Sequence, residues 1–277
     1  MGKIDLERIE TFLIDGDGVL WRGDKPMPGL DHFFQVVKAR GIQWALLTNN
    51  NTRTVNEYLV KLEGFGINAD VDQVFTSSTV TADYLKKRFG PGASVHAVGM
   101  SGVVETLQDA GFNVTTGEEM PVHEVVAVAA GMDRNFTFEK AKVATRLILE
   151  GAEFVATNTD GTYPTADGLS PGTGMVIGAL KGTTGLEPVV IGKPEGAIFE
   201  AALDALSAQT ATTAMIGDRL ETDILGAQRL GIATIGVLSG VTTREQLAES
   251  SIQPDFLYES IAELAGDLEE CLSLPET

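Results

Sequence analysis

The stretch Thr11–Leu20, TFLIDGDGVL, decides how the rest of the chain is read. Phe12, Leu13 and Ile14, with the threonine before them, form a short run without polar alternation. Such a run reads as a strand buried on both faces, as the parallel sheets of α/β proteins contain. It stops at Asp15. Asp15 and Asp17 flank Gly16, and two carboxylates this close repel one another unless a cation lies between them. Ligands of open α/β sheets bind beyond the carboxyl ends of the strands, so a charged pair there marks a place for chemistry. An Asx-type turn that merely ends the strand is the other reading, and this stretch alone does not choose between them.

The wider composition narrows the choice. A chain of 277 residues can bury a full core and is long for one domain, so one large α/β domain and a core with an insertion are both open. Hydrophobic content of 43% and charged content of 21% are those of a soluble globular protein. A formal charge of −19 argues against nucleic acid, whose binding rests on Lys and Arg neutralising phosphates, and against an anionic membrane surface. A phosphorylated ligand would need local cations or a metal to bind in this field. Cys271 stands alone, so no intrachain disulfide forms and a reducing compartment is expected. The opening residues lack an apolar run of signal-peptide length, and no segment approaches the roughly 20 apolar residues of a membrane span. A cytoplasmic protein is expected. His32, His96 and His123 lack the spacing of a zinc site and read as surface or packing residues.

Working outward, Leu20 to Met27 has the Gly, Asp and Pro density of a hairpin or flap. A helix from Leu30 to Arg40 and a strand from Ile42 to Leu47 complete a βαβ unit. That strand ends in Thr48-Asn49-Asn50-Asn51, whose hydroxyl and turn amides can hold phosphate oxygens at the start of the next helix, Thr52 to Glu63; an Asn-rich helix cap is the alternative. A third strand is expected at Val74 to Thr76. From about Thr79 to Gly185 the α/β pattern repeats on a smaller scale, ending in a polar loop, Thr157 to Thr173, and a helix, Gly174 to Lys181. These spans predict a core over 1–79, an inserted α/β domain over 80–184, and the second part of the core over 185–277. Asn158, Asp160 and Thr162 of the polar loop are the candidates to reach toward a ligand, unless they only make turns. The core is expected to resume with a strand, Pro188 to Ile191, ending at Lys193. A further strand, Thr213 to Ile216, ends in GDRLETD, which carries Asp218 and Asp223.

Four strands therefore end in polar clusters: Asp15/Asp17, Thr48/Asn49, Lys193 and Asp218/Asp223. In a parallel sheet all four lie along one edge. Carboxylate oxygens without Cys or His specify a hard cation, most simply Mg²⁺. A nucleophile, a divalent cation, a lysine and hydroxyl or amide donors are what phosphoryl transfer needs.

With these motifs the sequence resembles the haloacid dehalogenase superfamily of phosphohydrolases, in its branch of NagD-type and 4-nitrophenyl phosphatases. The resemblance rests on DGDGV at Asp15, Thr48 of TNN, Lys193 of GKP, and GDRLETD at Asp218 and Asp223, in that order. It implies a Rossmann-like, doubly wound parallel-sheet core with a smaller inserted cap of the C2 type. It implies that Asp15 is the nucleophile and a Mg²⁺ ligand, that Asp17 acts as acid and base with its backbone carbonyl on the metal, and that Thr48, Asn49 and Asn50 bind phosphate. Lys193 would offset charge, Asp218 would bind the metal directly, and Asp223 would orient the metal-bound waters. The expected substrate is a small phosphorylated metabolite such as 4-nitrophenyl phosphate, a sugar phosphate, phosphoglycolate or a nucleoside monophosphate. A homodimer through the cap is the expected assembly. A phosphotransferase or mutase using the same aspartate, and a non-catalytic phosphometabolite-binding regulator, are the competing readings.

Overall fold

Thr11–Ile14 is a strand with all four residues buried, as its unbroken run predicts. The computed structural model describes residues 6–165 and 168–273. Its elements begin with β1 (Thr11–Ile14), the short hairpin β2 (Trp21–Arg22) and β3 (Lys25–Pro26), α1 (Leu30–Ala39) and β4 (Gln43–Thr48). There follow α2 (Val55–Gly64), β5 (Val74–Thr76), α3 (Ser77–Phe89), β6 (Ser94–Val98), α4 (Ser101–Asp109) and β7 (Asn113–Thr115). Next come β8 (Ala127–Ala130), α5 (Phe138–Leu149), β9 (Glu153–Ala156), β10 (Thr162–Thr165), β11 (Gly168–Pro171) and α6 (Thr173–Thr184). The last elements are β12 (Val189–Val190), α7 (Ala197–Leu206), β13 (Thr213–Gly217), α8 (Leu225–Arg229), β14 (Ala233–Val237), α9 (Arg244–Glu249), β15 (Phe256–Tyr258) and α10 (Ile261–Ser273).

These elements form two compact α/β units. One comprises the described residues up to Thr48, Leu59–Phe75 and those from Lys193 onward; the other comprises Asn49–Tyr58 and Thr76–Gly192. The first unit is built on a six-stranded sheet, ordered β15-β14-β13-β1-β4-β5. Numbered by their succession within this sheet, the strands run 3-2-1-4-5-6, the Rossmann order, in which the chain reverses direction across the sheet between β1 and β13. Both neighbours of β1 are parallel to it, with Ile14 level with Ile216 on one side and Leu46 on the other. Helix α1 buries Leu30, Phe33, Val36 and Val37, an apolar stripe at helical spacing. Phe33 meets Phe12 of β1, their ring centroids 6.1 Å apart. Trp44 is buried against the edge of Phe34, a packing residue as read.

The second unit has a five-stranded parallel sheet, ordered β12-β9-β8-β6-β7. Its succession is 2-1-3-4-5, the other common doubly wound order. Its core gathers Val128, Val143, Leu147, Ile148, Phe154 and Val176. Two sequence expectations are corrected here. The strand at Val189–Val190, expected to resume the core, pairs with β9 in this second sheet, so the chain leaves the second unit at Gly192 and not at 184. A two-residue strand has too short a pattern to say which sheet it joins. The span Thr157–Thr173, expected as a loop, contains the antiparallel pair β10 and β11. Its Thr, Pro and Gly content hides the alternation by which strands are recognised. No described helix is long and apolar enough to cross a membrane.

Candidate active site

The site builds up from the register of three strands in the first unit. Asp15 follows Ile14, and its backbone N–H donates to Ile216 O at 2.9 Å, continuing the ladder with β13 by one step. β13 itself ends at Gly217, so Asp218 emerges beside Asp15 at the point where the strand order reverses. Asp223 lies in the single π-helical turn, Leu220–Ile224, that leads into α8. One oxygen from each of Asp15, Asp218 and Asp223 falls within 4.8 Å of the others. Asp15 is 9%, Asp218 4% and Asp223 1% exposed.

Lys193 is the cation against this cluster. Only 2% exposed, its Nζ donates to Asp15 Oδ1 at 2.5 Å and to Leu47 O at 2.8 Å, and lies 2.8 Å from Asp223 Oδ1. Three acceptors match the three N–H bonds of an ammonium. The remaining holders are Thr222 Oγ1, which donates to Asp223 Oδ1 at 3.4 Å, and main-chain groups. Asp223 Oδ2 accepts from Arg219 N at 3.1 Å, and Asp218 Oδ2 accepts from Val241 N at 2.7 Å. Gly18 and Gly240 press on the same Asp218 oxygen so closely that a Cβ at either would collide with it, and Gly18 also has φ +94°. Only glycine meets both demands.

The charges do not balance. Three buried carboxylates face one lysine, a surplus of about two negative charges. Burial pushes the Asp15 carboxyl well above its ordinary range; Lys193 opposes this, and Asp223 and Asp218 add to it. Burial, with Asp223 beside it, pushes Asp218 up to about 7. Burial alone would lower the Lys193 ammonium, but Asp15 and Asp223 outweigh it and hold that group above its usual range. An oxygen-only donor set with a charge deficit of this size fits a hard divalent cation.

The other sequence candidates fall elsewhere. The Asp17 carboxylate is not in the three-carboxylate group; its Oδ1 accepts from Trp21 Nε1 at 3.0 Å. Thr48 is buried at the end of β4. Asn49, Asn50, Asn158 and Asp160 belong to the second unit. There Asn49 Nδ2 donates to both Asp160 oxygens at 3.3 and 3.2 Å, and Asn158 Nδ2 donates to Asn49 O at 2.6 Å. Asn158 Oδ1 accepts from Asp160 N, and Asn50 Oδ1 from Thr52 N and Oγ1, so both oxygens make Asx turns. Sequence reasoning missed Trp21 and Ser239. Trp21 is fully buried with Lys61 Nζ 4.2 Å above its ring. Ser239 donates to Gly18 O at 2.7 Å, and Arg22 donates to Ser239 O at the same distance. The Trp that follows GDGVL, and the Ser-Gly that ends β14, were the signals available.

Comparison with known proteins places the chain among phosphatases. Residues 12–113 match the model of haloacid dehalogenase-like hydrolases, and residues 190–264 match a second, HAD-hydrolase-like model. The chain is 34% identical to an acid sugar phosphatase of Staphylococcus aureus over 96% of its own length and 100% of the relative's. Among solved structures it is similar to a 4-nitrophenylphosphatase of Thermotoga maritima, with TM-score 0.87 and 31% identity over 94% of this chain and 98% of that one. A glycerol phosphate phosphatase of Mycobacterium tuberculosis, solved in complex with calcium, superposes with TM-score 0.84 and 29% identity over 94% of this chain and 75% of that one.

Proposed function

The chain belongs to the haloacid dehalogenase-like hydrolases, as a phosphoric monoester hydrolase of the NagD and 4-nitrophenyl phosphatase branch, and we propose that it releases phosphate from small sugar or polyol phosphates. The observation that carries this reading is the buried Lys193–Asp15 pair at the strand-order reversal, inside a carboxylate group short of positive charge. The relatives that act on sugar phosphate and glycerol phosphate, by their names, support the substrate class.

Asp15 and Asp218, with the backbone carbonyl of Asp17, would hold Mg²⁺. Bound there, the ion would favour the ionised carboxylates and neutralise the phosphoryl oxygens. The residues then divide the work. An Asp15 oxygen attacks phosphorus, and the bond from phosphorus to the ester oxygen breaks. Asp17 gives its proton to the departing alkoxide. Water next attacks the phosphorus of the Asp15 acyl phosphate and loses a proton to Asp17, while the phosphorus–Asp15 bond breaks and inorganic phosphate leaves. Lys193 holds the nucleophile in place and, with the Thr48 hydroxyl, offsets charge on the phosphoryl group. Asp223, gripped by Lys193 and Arg219 N, fixes Lys193 from the far side.

A single turnover in ¹⁸O-labelled water tests the route. The label is expected in inorganic phosphate and absent from Asp15, with phosphate trapped on Asp15 after rapid acid quench. Substantial turnover by Asp15→Asn, with nothing trapped, would mean that water attacks the ester directly.

A further inference from the structure

The loop that carries Asp17 closes on Trp21. Leu20 and Trp21 each donate a backbone N–H to Gly16 O, at 2.9 and 3.2 Å, and Gly18 N donates to Trp21 O at 2.7 Å. The turn thereby folds the indole back over its own start. A Cβ at Gly16, between the two aspartates, would fall 2.4 Å from Trp21 Cζ2, so the ring lies directly on that backbone. Phe65 stands beside it with a centroid distance of 6.2 Å. Lys61 Nζ is 4.2 Å from the indole centroid and donates to Gly23 O at 2.7 Å. All of these residues belong to the first unit.

A fully buried indole needs an acceptor for its N–H, where phenylalanine would fill much of the same space with no donor to satisfy. The acceptor here is Asp17 Oδ1 at 3.0 Å. Asp17 is half-buried in its loop, and a carboxylate so placed has several staggered rotamers open to it. A donor on a fixed ring selects among them. A cation over the face draws electron density from the indole and strengthens its N–H as a donor, since interactions in series polarise one another. Gly23 O anchors the Lys61 ammonium, so its charge stays over the ring.

We propose, resting on the acid role given to Asp17 above, that Trp21 and Lys61 are positioning residues which hold the Asp17 carboxyl in the rotamer that protonates the leaving group. The stack of ammonium, indole and carboxyl then decides how far the enzyme reaches beyond activated esters. As the phosphorus–oxygen bond of the ester breaks, the proton passes from Asp17 to the departing oxygen. A weakly basic anion such as 4-nitrophenolate needs little of that help, and a more basic phenolate or alkoxide needs more. Loosening Asp17 therefore harms esters in the order of their leaving-group basicity. The effect of Lys61 and Trp21 passes entirely through the orientation of Asp17, so it does not depend on which alcohol the natural substrate carries.

Phenyl phosphate and 4-nitrophenyl phosphate, compared by kcat/KM, are the probes. Trp21→Phe should lower kcat/KM about fivefold for phenyl phosphate and about twofold or less for the nitrophenyl ester. Lys61→Met should move the same ratio in the same direction by a smaller factor, and Lys61→Arg, which keeps a cation over the ring, should restore it. With the indole N–H gone the charge has nothing to strengthen, so Trp21→Phe/Lys61→Met should lose no more than Trp21→Phe alone. The indole ¹⁵N–¹H resonance of Trp21, one of two tryptophans, reads the bond without turnover, and its proton should shift upfield in Lys61→Met and in Asp17→Ala. Lys61 is half-exposed, so its variants keep the test open if Trp21→Phe fails to fold. An unchanged ester ratio in Asp17→Asn would overturn the acid role of Asp17 itself. A ratio lowered in Asp17→Asn but unchanged in Trp21→Phe, full additivity in the double variant, or an indole resonance indifferent to Lys61→Met would leave that role standing and overturn the positioning.

Discussion

The molecule has two doubly wound sheets and therefore two places where strand order reverses, one at Asp15 and Asp218 and one at His96 and Asp133. Topology treats them alike, and electrostatics separates them. At the first, three carboxylates share one lysine and the surplus charge calls for a cation. At the second, one carboxylate is matched by one lysine beside a neutral imidazole. The same topology thus carries two different balances of buried charge.

The largest test of that contrast is removal of the proposed nucleophile. Asp15→Asn should lower kcat toward 4-nitrophenyl phosphate by roughly 10⁴-fold or more, whereas His96→Leu should change it by less than about twofold. Steady-state kinetics on the two variants decides this, and comparable losses would mean that the two crevices act as one. Lys193→Met comes next. It leaves Asp15 and Asp223 buried without their cation, a change that costs about 3–5 kcal/mol where a buried pair is broken. Thermal melting should register a marked fall, and an unchanged transition would remove Lys193 from its structural role.

Stability against pH should differ in sign between the units. Asp218 is raised to about 7 from an ordinary 3.8, so the metal-free fold binds more protons there than the unfolded chain. Its contribution is full below about pH 4 and is lost as pH rises through about 7. His96 is lowered to about 4 from an ordinary 6.5, so its contribution is full above 6.5 and is lost as pH falls through about 4. Melts with a chelator and with Mg²⁺ should therefore show a larger metal-induced shift at pH 8 than at pH 5. The same shift at both would contradict the raised carboxylates. A smaller loss than that of Asp15→Asn is expected for Trp21→Phe, which removes the indole donor to Asp17. The loss is on the order of 1 kcal/mol, seen as a drop in kcat of up to about tenfold, larger for an alkyl phosphate than for 4-nitrophenyl phosphate.

What could be read beforehand follows from this physics. Buried parallel strands are near-continuous apolar runs, so the points where β1, β4 and β13 stop were visible, and of the residues read there the fold brings Asp15, Asp218 and Asp223 together beside Lys193. Features that rest on tertiary company were not visible. Val189–Val190 carries no mark of the sheet it joins. His96 reads as a core histidine and is fully buried, while Asp133 lies ahead of α5 and only the fold turns it onto Lys140 in the first turn of that helix. Trp21 sits next to the DGDGVL motif, yet only the fold shows that its indole turns back onto Asp17.

Part of the grip on these carboxylates and their lysine is main chain: Leu47 O on Lys193, Arg219 N on Asp223, and Val241 N on Asp218. Every amino acid but proline supplies those atoms. Position 241 can therefore drift through many residues without losing that bond, and position 47 through any apolar residue the core accepts, while position 219 also sets a positive charge near Asp218. Substitution is instead barred at Gly18 and Gly240, which bond to nothing through a side chain and only stay out of the way. A mutational scan of this shell should find its intolerance where there is no functional group at all, written in volume and not in chemistry.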